Sequence, residues 1–128
     1  MKFNTLIFFS ILLLTACSDR TLNEEDSVLT EVHLQSGFFG QVTIWVNDEQ
    51  VYDAVVSGQQ PLAGPQVQFT LSMTRGIATV KVVWGSSGAQ LTDDSSVQIG
   101  SSHEYFLGIS IVDDAVSLKI QTSEFLYL

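Results

Sequence analysis

The stretch Val67-Gln68-Phe69-Thr70-Leu71-Ser72-Met73-Thr74-Arg75-Gly76-Ile77-Ala78-Thr79-Val80-Lys81-Val82-Val83-Trp84 decides the class of the fold. Val67, Phe69, Leu71 and Met73 alternate with Gln68, Thr70 and Ser72. That period of two is the pattern of a strand with one dry and one wet face. Ala78, Val80, Val82 and Trp84 share one face of the next run, so Trp84 is expected in the core. Thr74-Arg75-Gly76 reads as a short hairpin loop between the two, with Gly76 supplying a positive φ.

The same period extends in both directions. Downstream, Tyr105, Leu107, Ile109 and Ile111 alternate, Asp113-Asp114 turns the chain, and Val116, Leu118 and Ile120 return. Upstream, the runs 28–35, 39–46 and 50–56 read as strands, with Asn47-Asp48-Glu49 as a turn. Gly58 to Gly64, with Pro61 inside and Pro65 following, reads as a loop. Shorter strands are expected at 89–92, 97–99 and 125–128. No stretch offers a capped helical pattern, and no internal repeat suggests a solenoid or propeller. About seven to nine short strands predict an all-β fold, a small antiparallel β-sandwich of the immunoglobulin-like or transthyretin-like kind, with a small β-barrel as the alternative.

With 128 residues, 45% hydrophobic and 15% charged, the chain has room for one folded domain and too much apolar content for a disordered one. A formal net charge of −9 argues against nucleic acid, whose phosphates need clustered Lys and Arg. A single cysteine excludes an intramolecular disulfide framework and Cys-rich zinc modules.

Lys2 precedes the run Leu6–Leu14, in which Ser10 alone is polar. The run is about half of the roughly 20 residues that a spanning helix needs, and it reads as an export signal. It ends in Leu14-Thr15-Ala16-Cys17, which resembles the lipobox of bacterial lipoproteins. The resemblance implies cleavage after Ala16 and lipid attachment at Cys17. Two or three acyl chains would hold permanently, because one chain alone binds a membrane only marginally. The expected organisation is therefore a signal peptide at 1–16, a lipidated Cys17 with a flexible acidic tether at 17–27, and one β-sandwich domain at 28–128. Ser18 follows the cysteine where an Asp would resemble an inner-membrane retention signal, so the resemblance implies the outer membrane of a bacterial envelope. The whole layout resembles that of small envelope lipoproteins, a likeness that carries no catalytic residues.

Candidate chemistry is sparse. His33 and His103 stand far apart with no metal-ligand spacing around them, so no metal site is expected. Gly85-Ser86-Ser87-Gly88 lacks the Gly-x-Ser-x-Gly of a nucleophile elbow and reads as a turn. Asp93-Asp94 and Asp113-Asp114 offer carboxylates for calcium, but the spacing of a calcium loop is missing and both pairs read as turns. Trp45 resists a structural reading: in 42–46 the apolar face is Val42, Ile44 and Val46, and Trp45 falls on the other. A hairpin at Asn47-Asp48 would bring Tyr52 onto that same outer face, giving a flat platform for a sugar ring or a protein. The competing expectation is that the strand is covered, or that Lys or Gln stems shield the ring.

The expectation is a non-enzymatic, lipid-anchored binding or interaction module, needing no cofactor, with the membrane and an envelope protein or glycan as partners. Two more specific expectations stand beside it. One is a carbohydrate-binding accessory using Trp45 and Tyr52. The other is an inhibitor whose acidic surface docks a cationic periplasmic enzyme such as a lysozyme.

Overall fold

Eight strands make up the chain in the computed structural model, which describes residues 26–127: β1 (Ser27–Ser36), β2 (Gly40–Val46), β3 (Glu49–Val56), β4 (Val67–Thr74), β5 (Gly76–Trp84), β6 (Leu91–Ile99), β7 (Glu104–Val112) and β8 (Ala115–Gln121). The signal segment 1–16, Cys17 and nearly all of the tether lie outside the described residues. The strands form two four-stranded sheets, sheet A in the order β4-β1-β7-β8 and sheet B in the order β3-β2-β5-β6. The result is a β-sandwich and not a closed barrel. In sheet A, β1 and β7 run parallel at the centre, and every other pairing is antiparallel. Two sheets of four in this order differ from the seven-stranded immunoglobulin arrangement, and the parallel β1–β7 pair corrects the expectation of a purely antiparallel sandwich.

Alternation makes the core. Val32 and Leu34 of β1, Val42 and Ile44 of β2, Val80, Val82 and Trp84 of β5, and Leu107 and Ile109 of β7 are all buried between the sheets. Each such side chain contributes about 1.5–3 kcal/mol by leaving water. Trp84 is fully buried, as its phase requires.

Two tight hairpins close on non-glycine residues with positive φ. Asn47 and Asp48 (49° and 67°) join β2 to β3, and Asp113 and Asp114 (52° and 60°) join β7 to β8. Consecutive positive φ values give the primed turns whose twist matches the flanking strands, and Asn and Asp tolerate them best after glycine.

Other expectations need correcting. Thr74-Arg75-Gly76 is not a hairpin loop, because β4 pairs with β1 in sheet A while β5 belongs to sheet B. Gly76 does have a positive φ, 107°, but it turns a corner between sheets. Arg75 pins that corner. Its N–H donates to Asp26 O at 2.7 Å, and Nη1 donates to Gly100 O at 2.5 Å and Ser102 O at 2.9 Å. The short strands expected at 89–92 and 97–99 are joined in a single β6 that begins only at Leu91, so Asp93-Asp94 lies in mid-strand and not in a turn. Residues 125–127 form no strand, and Leu128 lies outside the described residues.

Candidate functional site

Trp45 lies on the outer face of sheet B, opposite Lys81 of β5 and Gln50 of β3. It is half-buried, and Lys81 Nζ sits 5.2 Å from its ring centroid. A cation over an indole face is attracted by the ring quadrupole, by about 0.5–1 kcal/mol at an exposed site. Lys81 therefore shields the ring, although Asp94 faces it from β6 across the same register. Nearby on this face, Asp53 Oδ1 accepts hydrogen bonds from Gln41 Nε2 at 2.6 Å and Thr43 Oγ1 at 2.9 Å.

Tyr52 is not beside Trp45. The register slips between Ile44 and Trp45: Trp45 faces Gln50, Ile44 faces Tyr52, and Val51 is the extra residue of a β-bulge. One inserted residue reverses the phase of everything beyond it. Tyr52 consequently turns inward and stacks on Phe69 of β4, with ring centroids 5.1 Å apart and planes at 16°. Burial pushes its hydroxyl above the ordinary tyrosine pKa. The Trp45–Tyr52 platform is not formed.

The most connected polar cluster lies on the outer face of sheet A, around a histidine that the sequence left isolated. Glu31, His33 and Gln35 project there from β1, and residues 122–127 turn back across the face after β8. Phe125 and Tyr127 pack on the His33 ring, at 5.3 Å tilted and 5.8 Å stacked, and His33 is buried beneath them. His33 Nε2 lies 2.9 Å from Glu31 Oε1, and Nδ1 lies 2.6 Å from Tyr127 Oη. A carboxylate only accepts, so Nε2 carries a proton, and in the neutral ring Nδ1 accepts from the Tyr127 hydroxyl.

The network continues outward. Gln35 Nε2 donates to Tyr127 Oη at 3.4 Å, Ser110 Oγ donates to Gln35 Oε1 at 3.3 Å, and Gln68 Nε2 donates to Glu31. Gly108 makes room for Gln35: a Cβ there would lie 2.6 Å from Gln35 Oε1. Phe106, on the same outer face, is buried too. A carboxylate–imidazole–phenol line could pass a proton. Here, however, the open groove beside the tail is lined by Gln35, Lys119, Gln121 and Ser123–Leu126, and neither His33 nor Tyr127 opens into it. The arrangement acts as a latch that holds the tail down. The signals in the sequence were the off-phase Phe106 and the aromatic pair Phe125 and Tyr127.

The two poles of the sandwich differ. Asp26, Asn47-Asp48, Arg75 and residues 100–103 occupy one pole. The other carries the connections 37–39, 57–66, 85–90 and 113–114. At this second pole Phe39, Leu62 and Val112 are exposed. The Gln66 side chain ties two of its connections together: Oε1 accepts from Phe38 N–H, and Nε2 donates to Phe38 O and Ser57 O, all at 3.1 Å.

Among the described residues, no three His, Cys, Asp or Glu side chains are grouped to hold a metal ion. Asp93 makes a different contact, accepting the Val116 N–H from β8 at 2.7 Å and so joining the edges of the two sheets. No family model, no curated protein and no solved structure matches the chain.

Proposed function

We propose that the chain is a lipid-anchored, non-enzymatic binding module of a bacterial envelope, held at Cys17 and presenting its far pole to a partner. The observation that supports this reading is the polarity of the sandwich. The described chain starts at Asp26, at the pole that Arg75 pins, where Leu29 and Ile77 are the exposed apolar residues nearby, while Phe39, Leu62, Leu91 and Val112 are exposed toward the opposite pole. Exposed apolar residues mark a contact surface when they gather into one patch, and the far pole holds the larger number of them. With an anchor at residue 17 and a short acidic segment between, that surface would face away from the membrane, in the periplasmic or outer-surface leaflet of the outer membrane. The sugar-stacking alternative loses its geometric basis with the separation of Trp45 from Tyr52. Docking to a cationic enzyme keeps support from the charge balance, since Arg75 is engaged by backbone carbonyls and Lys81 by Trp45.

Two measurements test the reading. Cys17→Ser is expected to move the protein from the detergent phase to the aqueous phase and to abolish fatty-acid labelling. A photo-crosslinking residue at Leu62, in the native envelope, is expected to give a discrete adduct that the same residue at Ile77, nearer the tethered pole, does not. Retention of Cys17→Ser in the detergent phase overturns the anchor, and equal adducts at both positions overturn the choice of pole.

A further inference from the structure

The two sheets expose four edge strands, β3 and β6 of sheet B and β4 and β8 of sheet A. Three of them are guarded. β3 is bulged at Val51 and carries Glu49 and Asp53; β6 carries Asp93 and Asp94; β8 carries Lys119 and has its Val116 N–H taken by Asp93. β4 is different. Its residues Val67–Thr74 hold no charge, no proline and no bulge, and they pair with β1 without a break. Folded proteins blunt their free edges with such devices because an unpaired edge recruits other strands.

The phase of the free groups follows from one bond. Arg75 N–H donates to Asp26 O, and antiparallel pairing alternates bonded and non-bonded residues from there. The N–H and C=O groups of Gln68, Thr70, Ser72 and Thr74 therefore point away from β1. Phe69 and Leu71 stand half-buried on the inner side of the same edge. Two acidic residues flank the edge, and the cation beside it, Arg75 after Thr74, turns to the carbonyls of Gly100 and Ser102. Glu31 lies opposite Thr70 on the outer face, and Glu49 lines the cleft between β3 and β4 with Val51, Leu71 and Met73. A second copy of the chain would bring the same acidic flanks and an uncharged strand, at a net charge of −9 each.

We propose that β4 is a docking edge for an extended, cationic segment of a partner protein, which adds to sheet A as a fifth strand. Main-chain bonds at the four even-numbered residues supply the pairing, apolar side chains cover Phe69 and Leu71, and Lys or Arg side chains meet Glu31 and Glu49. The proposal rests on the reading of the chain as a binding module and not on its anchor.

The test uses the full chain in detergent micelles and two synthetic peptides, one alternating valine with lysine and one alternating valine with glutamate. The lysine peptide is expected to slow amide hydrogen exchange at Thr70 and Ser72 by about tenfold or more, and the glutamate peptide to leave it unchanged. Thr70→Pro removes one outward N–H where an edge tolerates proline, and Ser72→Lys guards the edge while keeping the backbone intact; each is expected to weaken lysine-peptide binding about tenfold with a cooperative melt retained. Protection away from β4, equal binding of both peptides, or full binding by Ser72→Lys overturns the proposal. So does slowing of β4 exchange by raised protein concentration alone, which would make the occupant a second copy. A discrete Leu62 adduct alongside failure of the lysine peptide overturns the docking edge and leaves the binding-module reading standing.

Discussion

The outer faces of the two sheets are built from similar alternating strands and end in opposite conditions. On sheet B the outer face stays open, and its large aromatic, Trp45, is half-buried with Lys81 over its ring. On sheet A the segment 122–127 lies across the face and packs Phe125 and Tyr127 on the buried His33, with Phe106 buried on the same face. Alternation predicts which residues leave the core. It does not predict whether water or more protein meets them. A polar-looking face becomes a second packed layer when a distant segment supplies its partners, and here that segment lies more than eighty residues beyond β1 in the sequence.

Substitutions on each face put this contrast to the test. Trp84→Ala sets the scale, because it empties a fully buried inner position and is expected to cost about 3–5 kcal/mol in urea unfolding. A loss under about 1 kcal/mol would contradict the core described here. On the covered face, Tyr127→Phe keeps the ring stacking but removes the hydroxyl that His33 Nδ1 accepts from, which should cost about 1–3 kcal/mol. If the melt were unchanged, the tail would not be latched in solution. On the open face, Trp45→Ala is expected to cost only about 0.5–1 kcal/mol, the worth of its contact with Lys81. A penalty as large as that of Trp84→Ala would mean that sheet B is covered as well.

The smallest effect concerns the bulge that turned Tyr52 inward. Burial raises the folded-state pKa of its hydroxyl, so the stability it contributes is fully present below the ordinary tyrosine range and is lost as pH rises through the raised value. Tyr52→Phe should therefore unfold less readily than the parent in strongly alkaline buffer, with the two differing least near neutrality. Equal alkaline sensitivity of both proteins would argue that Tyr52 faces water, as an unbulged hairpin requires.

The strands were legible because period-two patterning over five or more residues is a local property. Residues 67–74 and 76–84 announced themselves, as did the turns at Asn47-Asp48 and Asp113-Asp114, where residue type alone allows positive φ. β6 was harder. Leu91–Ile99 is an edge strand with Asp93, Asp94, Ser95 and Ser96 at its middle, and an edge needs little apolar content to keep its place beside β5. The pairing of Trp45 with Tyr52 was misjudged for a different reason. Trp45 was put on its correct face by the phase of its own strand, whereas Tyr52 depended on the register between two strands, and a single extra residue at Val51 reversed it. His33 was passed over because its partners Tyr127 and Phe125 are remote in sequence, and no spacing rule reaches that far.

Residue order alone was enough for an all-β chain, the positions of most strands, the core face of β2, β4, β5, β7 and β8, and Trp84 as part of that core, since side-chain alternation and turn chemistry act over a few residues. Folding in three dimensions set which strands pair, that Arg75 turns a corner between sheets where a hairpin was expected, that Tyr52 points inward, and that a tail covers His33 on one outer face. Those outcomes depend on register and on contacts between segments far apart in the chain, where a one-residue slip or a remote aromatic ring changes burial without altering the local pattern.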